Sequence, residues 1–280
     1  MSTFSFIQIT DHHLRERESD LSFGFSPAHA FRASLRHIAL HATAQADFIV
    51  TTGDLVNNGT DAEYQSARAM LGIRESSPPP GPQHVSIEGL REMPMYFLPG
   101  NHDPRDAFFR NMFPDQAELA GSASLPAEPV ASPLLMNAAF MHKGIRFICV
   151  DWGGDNKPVA YPPMLEFLAQ NLRDRTPSII LMHHALGPVG IPRLDAFLPD
   201  ELPQFAALIR GSSALAIFHG HFHVTYETTI AGIPVYGLRS TTFSFAPDGD
   251  KVLFVLRPPH YRIVTVSDGK VTTEIVEVAL

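Results

Sequence analysis

Histidine, aspartate and asparagine recur in this chain at one kind of place, the end of a short apolar run. Thr10-Asp11-His12-His13 follows Phe4–Ile9, Gly53-Asp54 follows Phe48–Thr52, and Pro99-Gly100-Asn101-His102-Asp103 follows Met95–Leu98. His183-His184 follows Ser178–Met182, and His219-Gly220-His221-Phe222-His223 follows Leu215–Phe218. Ligands of open α/β sheets bind outside the carboxyl ends of strands, and unrelated surface histidines would not keep choosing that position. The pattern predicts one site assembled from five loops. Its donors are imidazole, carboxylate and amide without thiolate, a set that suits Mn²⁺, Fe or Zn²⁺. Asp11, His13, Asp54, Asn101, His183, His221 and His223 are too many for one catalytic ion with open positions. They suit two ions sharing a bridging carboxylate, a pair about 3.5–4 Å apart that activates water and clamps a phosphoryl group.

Spacing divides the donors from their neighbours. In extended backbone, residues i and i+2 point the same way, so Asp11 and His13 are expected to face one ion while His12 points away. His221 and His223 repeat the arrangement. The glycines before Asp54, Asn101 and His221 allow sharp turns and close approach.

The elements behind these loops are legible. The apolar runs are rich in β-branched and aromatic residues, as strands are. Ser26-Pro27 is an N-cap with proline in the first turn, and behind it Phe31, Leu35, Ile38 and Ala42 form one helix face. Asp61 to Leu71, with Gly72 at its end, and Pro163 to Leu172 read as two more helices. Strands alternating with helices imply a largely parallel or mixed sheet with helices outside. Val252–Leu256, Tyr261–Val266 and Val271–Val278 are strand-like, and Ser267-Asp268-Gly269-Lys270 supplies a hairpin turn. Glu75–Gln83 and Gly121–Pro133 read as loops, and no repeat period is present.

Taken in order, Asp11-x-His13, Gly53-Asp54, Gly100-Asn101-His102-Asp103, His183 and Gly220-His221-x-His223 resemble the calcineurin-like metallophosphoesterases, over residues 11 to 223. Ser240-Thr241-Thr242-Phe243-Ser244-Phe245-Ala246-Pro247, with Arg257-Pro258-Pro259-His260-Tyr261-Arg262, is similar to the bacterial class III cyclic-nucleotide phosphodiesterases of that family. Gly53-Asp54-Leu55-Val56-Asn57-Asn58-Gly59 with Glu63-Tyr64-Gln65 is similar to bacterial glycerophosphodiesterases. The resemblance implies an α/β fold, a four-layer α/β/β/α sandwich of two mixed β-sheets flanked by helices. It implies a single domain over residues 1–280 whose tail, from about 241, completes the second sheet. It also implies roles: Asp11, His13 and His223 on a first ion, Asn101, His183 and His221 on a second, Asp54 bridging. His102 would contact the phosphate or protonate the leaving oxygen, steadied by Asp103. Paired histidines in that subgroup are often followed by two prolines. Here Ala185-Leu186 follow, so the loop to Asp200 is expected to shape the pocket in its own way.

The implied reaction is hydrolysis of a small phosphodiester by a metal-bridging hydroxide, with 3′,5′-cyclic nucleotides such as cAMP the first substrate to consider. A glycerophosphodiesterase, or a broad phosphodiesterase or phosphomonoesterase, is the alternative on the same site. Protein phosphatases resembling this site usually carry Glu where Asp103 stands. A scaffold without turnover would lack ligands that are all present here.

Composition bounds the partners. Lys and Arg number 21 and Asp and Glu 29, a net charge of −8, which leaves no electrostatic footprint for long nucleic acid or an anionic membrane. Small anions stay open, because a local metal charge overrides the global sign. The one cysteine, Cys149, reads as core and points to a reducing compartment. Met1 to Asp11 is unlike a secretory signal, and no apolar run nears the roughly 20 residues of a membrane span. A cytoplasmic protein is expected, as a homodimer by analogy with the subgroup. There is no Gly-x-x-x-x-Gly-Lys-Ser/Thr loop and no Gly-x-Ser-x-Gly elbow. His12 and His184 read as packing beside ligands, His37 and His41 as a solvated helix face, and His84 and His142 as surface. Asp151 and Trp152 either line the pocket or pack beside it.

Overall fold

The computed structural model describes residues 3–42, 45–73, 81–86, 92–114, 136–249 and 251–279. The strands are apolar on both faces, which is what a sheet needs when it is covered on both sides. In β1 (Phe4–Ile9), Phe4 and Phe6 point into one apolar layer and Ile7 and Ile9 into another. In β2 (Phe48–Thr52), Phe48 and Ile49 divide the same way.

The first sheet has the order β14-β13-β1-β2-β4-β3, with β3 at Gln83–Val85, β4 at Met93–Leu98, β13 at His260–Ser267 and β14 at Lys270–Glu277. The second has the order β5-β6-β7-β8-β10-β9. Its strands are β5 (Ala138–His142), β6 (Ile145–Cys149), β7 (Ser178–Leu181), β8 (Ala214–His219), β9 (Tyr226–Ile230) and β10 (Ile233–Gly237). Strands β1, β2 and β4 run parallel, as do β6, β7, β8 and β10, and the outer strands are antiparallel. Phe6, Phe48, Val50 and Leu98 meet Phe147, Ile179, Leu181 and Phe218 between the sheets. Helices α1 (Pro27–His41), α2 (Asp61–Leu71) and α3 (Arg105–Met112) cover the outer face of the first sheet. Helices α4 (Pro162–Leu172) and α6 (Leu202–Ile209) cover the second, and a short α5 (Pro192–Asp195) lies before α6. This is the expected four-layer sandwich. No helix among the described residues is long and apolar enough to cross a membrane.

Ser26 caps α1 by accepting from the His29 amide at 3.3 Å and Gly72 ends α2 in left-handed backbone, as the sequence suggests, while Thr60 caps α2 by accepting from the Glu63 amide at 3.2 Å. The tail departs from expectation. It does not complete the second sheet: β13 pairs antiparallel with β1, so the tail extends the sheet that opens the chain. Strands β11 (Ser244–Asp248) and β12 (Lys251–Val255) form a separate two-stranded ribbon. The stretch 75–80 and the stretch 121–133 lie outside the described residues. Gln83 and His84, expected in a loop, lie in β3. His142 ends β5 and sits 2.7 Å from Asp47, a paired residue instead of a free surface one. His37 is half-buried and 3.1 Å from the Tyr261 hydroxyl, so only His41 of that pair is exposed.

Candidate metal centre

The carboxyl ends of β1, β2 and β4 in one sheet and of β7 and β8 in the other converge on one edge of the sandwich. All seven expected donors meet there. His223 Nε2 lies 3.2 Å from Asp11 Oδ1 and 3.1 Å from His13 Nε2. The donor atoms of Asp11, His13, Asp54 and His223 fall within 4.8 Å of one another, all buried. A second group stands beside them: Asn101 Oδ1 is 2.9 Å from His183 Nε2 and 2.8 Å from His221 Nδ1. Asp54 joins the two, its Oδ2 lying 3.6 Å from His13 Nε2 and 3.4 Å from His183 Nε2. Its Oδ1 accepts the His102 amide at 2.8 Å, which leaves Oδ2 turned to both groups.

The backbone reaches this arrangement by a route that alternation does not foresee. Asp11 and His13 do face the same side, with His12 turned away between the Thr241 and Thr51 hydroxyls. The segment is not extended, however. Asp11 has φ 54°, His13 49°, Asp54 52°, His221 73° and His223 49°, all left-handed. Non-glycine residues hold that conformation at a cost of about 1–3 kcal/mol each, and such strain clusters at functional sites. The gain is compactness: each strand end turns within one or two residues and presents alternate side chains to a single point.

Glycine makes the close approaches. A Cβ on Gly53 would overlap the His183 ring, one on Gly100 the Asp54 carboxylate and amide, and one on Gly220 the Thr10 hydroxyl and Asp11 carboxylate.

Each ligand histidine but one has its other nitrogen on a carbonyl. His183 Nδ1 donates to Thr52 O at 2.8 Å, His223 Nδ1 to Phe243 O at 3.1 Å, and His221 Nε2 to Asn156 O at 2.9 Å. These bonds set the tautomer and aim the free nitrogen into the site, the role that outer partners have in metal centres. Burial lowers His13 to about 3 and holds His221 well below the ordinary imidazole range, so both are neutral, as ligands must be. His183 differs. Burial pushes it down, but the Asp54 carboxylate beside it outweighs this and lifts it to about 9. Burial would raise both carboxyls; His223 brings Asp11 below its usual range, and His183 brings Asp54 well below. Two buried carboxylates thus depend on positive charge placed beside them, and the donor set fits divalent cations in that role.

His102 lines the cleft edge-on to His13, with 4.7 Å between ring centroids. Its Nδ1 is 2.6 Å from Asn57 O. That carbonyl, and not Asp103, steadies the ring. Asp103 is fully buried and accepts from the amides of Gly100 at 2.9 Å and Leu55 at 3.1 Å and from the Tyr64 hydroxyl at 2.9 Å. It ties the β2 turn to the β4 turn, a positioning role. Burial, with Asp54 nearby, raises its carboxyl to about 6.

Several supports escape the sequence reading. Ser240 Oγ donates to Asp11 O at 2.6 Å and Thr242 Oγ1 to His12 O at 2.7 Å, clamping the first ligand loop. Asn156 accepts from Asn101 Nδ2 at 2.9 Å. Arg105 pairs with Asp151 and donates to the carbonyls of Gly100, Asp103 and Gly153. Ser240, Thr242, Asn57 and Tyr64 stand inside the segments that carry the subgroup resemblances, so a signal existed; Arg105 and Asn156 carried none. Trp152 is buried and packs on Phe205 at 5.3 Å, so it does not line the cleft. His184 Nε2 donates to Asp155 O at 2.8 Å in its buried niche, which leaves it as packing. Because Arg105–Asp151 is buried, Arg105→Met leaves a carboxylate without its cation. A stability loss of about 3–5 kcal/mol is expected, read as a lower urea midpoint with unchanged slope.

Comparison with known proteins agrees with this architecture. A glycerophosphodiester phosphodiesterase, GpdQ, of Enterobacter lignolyticus is 28% identical over 232 residues, 81% of this chain and 75% of the relative. A 3′,5′-cyclic adenosine monophosphate phosphodiesterase, CpdA, of Haemophilus influenzae is 27% identical over 273 residues, 96% and 88% of the two chains. Among solved structures, a purple acid phosphatase from yellow lupin superposes with a TM-score of 0.63 at 15% identity, over 99% of this chain and 52% of that one; this likeness concerns the fold. The profile of the calcineurin-like phosphoesterases matches residues 4–225, a span that opens with β1 and closes just beyond His223. With that match over most of its length and the donors gathered where its two sheets end, the chain belongs to the calcineurin-like phosphoesterase family.

Proposed function

We propose that the chain is a dinuclear metal-dependent phosphodiesterase acting on small diesters, with 3′,5′-cyclic nucleotides first among them. The observation that carries this reading is Asp54 Oδ2, which stands between the two donor groups at 3.6 Å from His13 and 3.4 Å from His183. Asp11, His13 and His223 would hold one ion, Asn101, His183 and His221 the other, and Asp54 both. The ions, of Mn, Fe or Zn, supply an activated water and positive charge against the phosphoryl oxygens. The chain's own contribution is positional: glycine turns bring the donors within reach, carbonyls set the tautomers, and a cleft of about 290 Å³ receives the ester. The acidic balance, 21 basic against 29 acidic residues, supports a small diester over long nucleic acid. The similarity to CpdA supports cyclic nucleotides. Glycerophosphodiesters are the second reading, favoured by the similarity to GpdQ over 81% of the chain. One domain, a homodimer and a cytoplasmic location complete the proposal; the apolar layer shared by both sheets and the single buried cysteine support the first and last of these.

Titrating the metal-stripped chain with Mn²⁺ tests the centre. Two ions per chain are expected, with activity following the second; saturation at one ion contradicts the shared Asp54. His102, held by Asn57 O and facing the cleft, is placed to protonate the departing oxygen. His102→Ala is expected to keep both ions and to lower kcat by roughly 10²–10⁴-fold, the usual worth of a general acid. Elemental analysis with steady-state kinetics checks this, and loss of an ion in the variant would make His102 a ligand instead.

A further inference from the structure

Beside the donors the cleft carries a contiguous set of phenylalanines, Phe23, Phe243, Phe245 and Phe254, with Leu194, Phe197 and Phe222 completing its apolar lining. This wall begins at the metal centre, where Phe243 stacks on His13 at 5.3 Å between centroids and 28° and Phe245 on His223 at 4.6 Å and 19°. It ends at the mouth, where Phe23 and Phe254 stack at 3.7 Å and 19°. Phe254 is carried by the separate ribbon β11–β12, and Phe23 by a tight turn closed by two hydrogen bonds between Ser22 and Phe25. Phe23 holds a left-handed φ of 53° and is 61% exposed, and Phe254 is 40% exposed. A strained turn that displays a large apolar ring in water is unfavourable on both counts, unless something covers the ring.

Resting on the phosphodiesterase reading, we infer that this wall is the subsite for the diester's ester group and that it selects a planar heteroaromatic ring. With the phosphate at the donors, the ester group must lie along the cleft. Among the described residues no lysine or arginine lines the cleft, so a second negative charge finds no side-chain cation there. A polyol laid against four phenyl rings loses its hydrogen bonds to water without replacement. A flat base keeps its polar edge in solvent or on Asn57 and Asn156 and stacks its face on the rings. A quaternary ammonium also binds aromatic rings, but it is best served by an open box with tryptophan; Phe23 and Phe254 present a closed slab.

The test uses the Mn²⁺-loaded full chain with cAMP and glycerophosphocholine, in wild type, Phe23→Ala, Phe254→Ala and the double variant. Leu40→Ala, an exposed apolar residue far along α1, serves as control. The ratio of kcat/KM for cAMP over glycerophosphocholine is expected to fall roughly 10- to 100-fold in the wall variants, the range that base stacking on an aromatic ring commands, and to stay constant in the control. The change should sit in KM. An unchanged ratio, or equal loss on both diesters, overturns the inference and leaves the phosphodiesterase reading standing. Absence of turnover of either diester by the wild type overturns that reading instead. Calorimetric titration with AMP then decides the subsite alone: weaker binding in the wall variants upholds it, and equal or no binding overturns it.

Discussion

Asp54→Asn is expected to leave a folded chain that binds at most one ion tightly and hydrolyses cAMP below about 1% of the wild-type rate. The residue is buried at the end of β2, and its two oxygens have separate tasks. Oδ1 accepts the His102 amide, and Oδ2 faces His13 in one donor group and His183 in the other. Asparagine keeps the shape but removes the charge. An amide oxygen can still meet the amide of His102, so the β4 turn should hold. What is lost is the negative charge that both donor groups share and that lifts His183 to about 9. Outer partners of metal centres are worth roughly 10–100-fold in affinity, and a shared inner carboxylate is worth more. Elemental analysis after dialysis, beside a thermal melt, separates this from unfolding. Two retained ions with wild-type turnover would refute the assignment of Asp54.

Gly100→Ala should act on the same carboxylate from the other side, by volume and not by charge. An added methyl would overlap Asp54 Oδ1 and, more seriously, the Asp54 backbone amide, which cannot rotate away. The two turns are locked together, because Asp103 accepts from both the Gly100 and Leu55 amides and Arg105 donates to the Gly100 carbonyl. Relief must therefore come from separating β2 from β4 at the site. Overpacking of this kind costs about 1–3 kcal/mol, or several degrees in Tm for a chain of this size. The larger effect is on function: with Asp54 displaced, metal affinity should drop by at least roughly 10-fold. Differential scanning fluorimetry with and without Mn²⁺ reads both. A variant whose melting temperature still rises with Mn²⁺ as the wild type's does would show that the turns can part without disturbing the donors.

The donors were legible because type and position coincide: each is polar, follows an apolar run and falls within a few residues of its end. The strands β1 and β2 and the helix Asp61–Leu71 appear at their expected bounds, since the apolar runs stop at polar residues and Gly72 ends the helix. Helix α3 was missed because nothing announces it; Pro104 stands at its start and no side chain caps it. Strands β9 and β10 form a hairpin through Ala231-Gly232, both in left-handed backbone. The tail's sheet is not legible locally, because pairing partners distant in sequence leave no trace there: Phe4 meets Val266 across nearly the whole chain. Alternation foresaw the correct side for Asp11 and His13 and the wrong backbone, since left-handed turns also alternate their side chains. The resemblance implies Asp103 as the support of His102, whereas its position is decided by the buried amides it satisfies.

The most direct measurement is phosphorus NMR, after an EDTA quench, of 3′,5′-cAMP incubated with the Mn²⁺-loaded chain and with Asp54→Asn as blank. Conversion of the cyclic diester to AMP is expected with the wild type, and none above background with the variant. Persistence of cAMP with two ions bound would contradict cyclic-nucleotide hydrolysis, and equal conversion by both proteins would contradict a reaction at this centre.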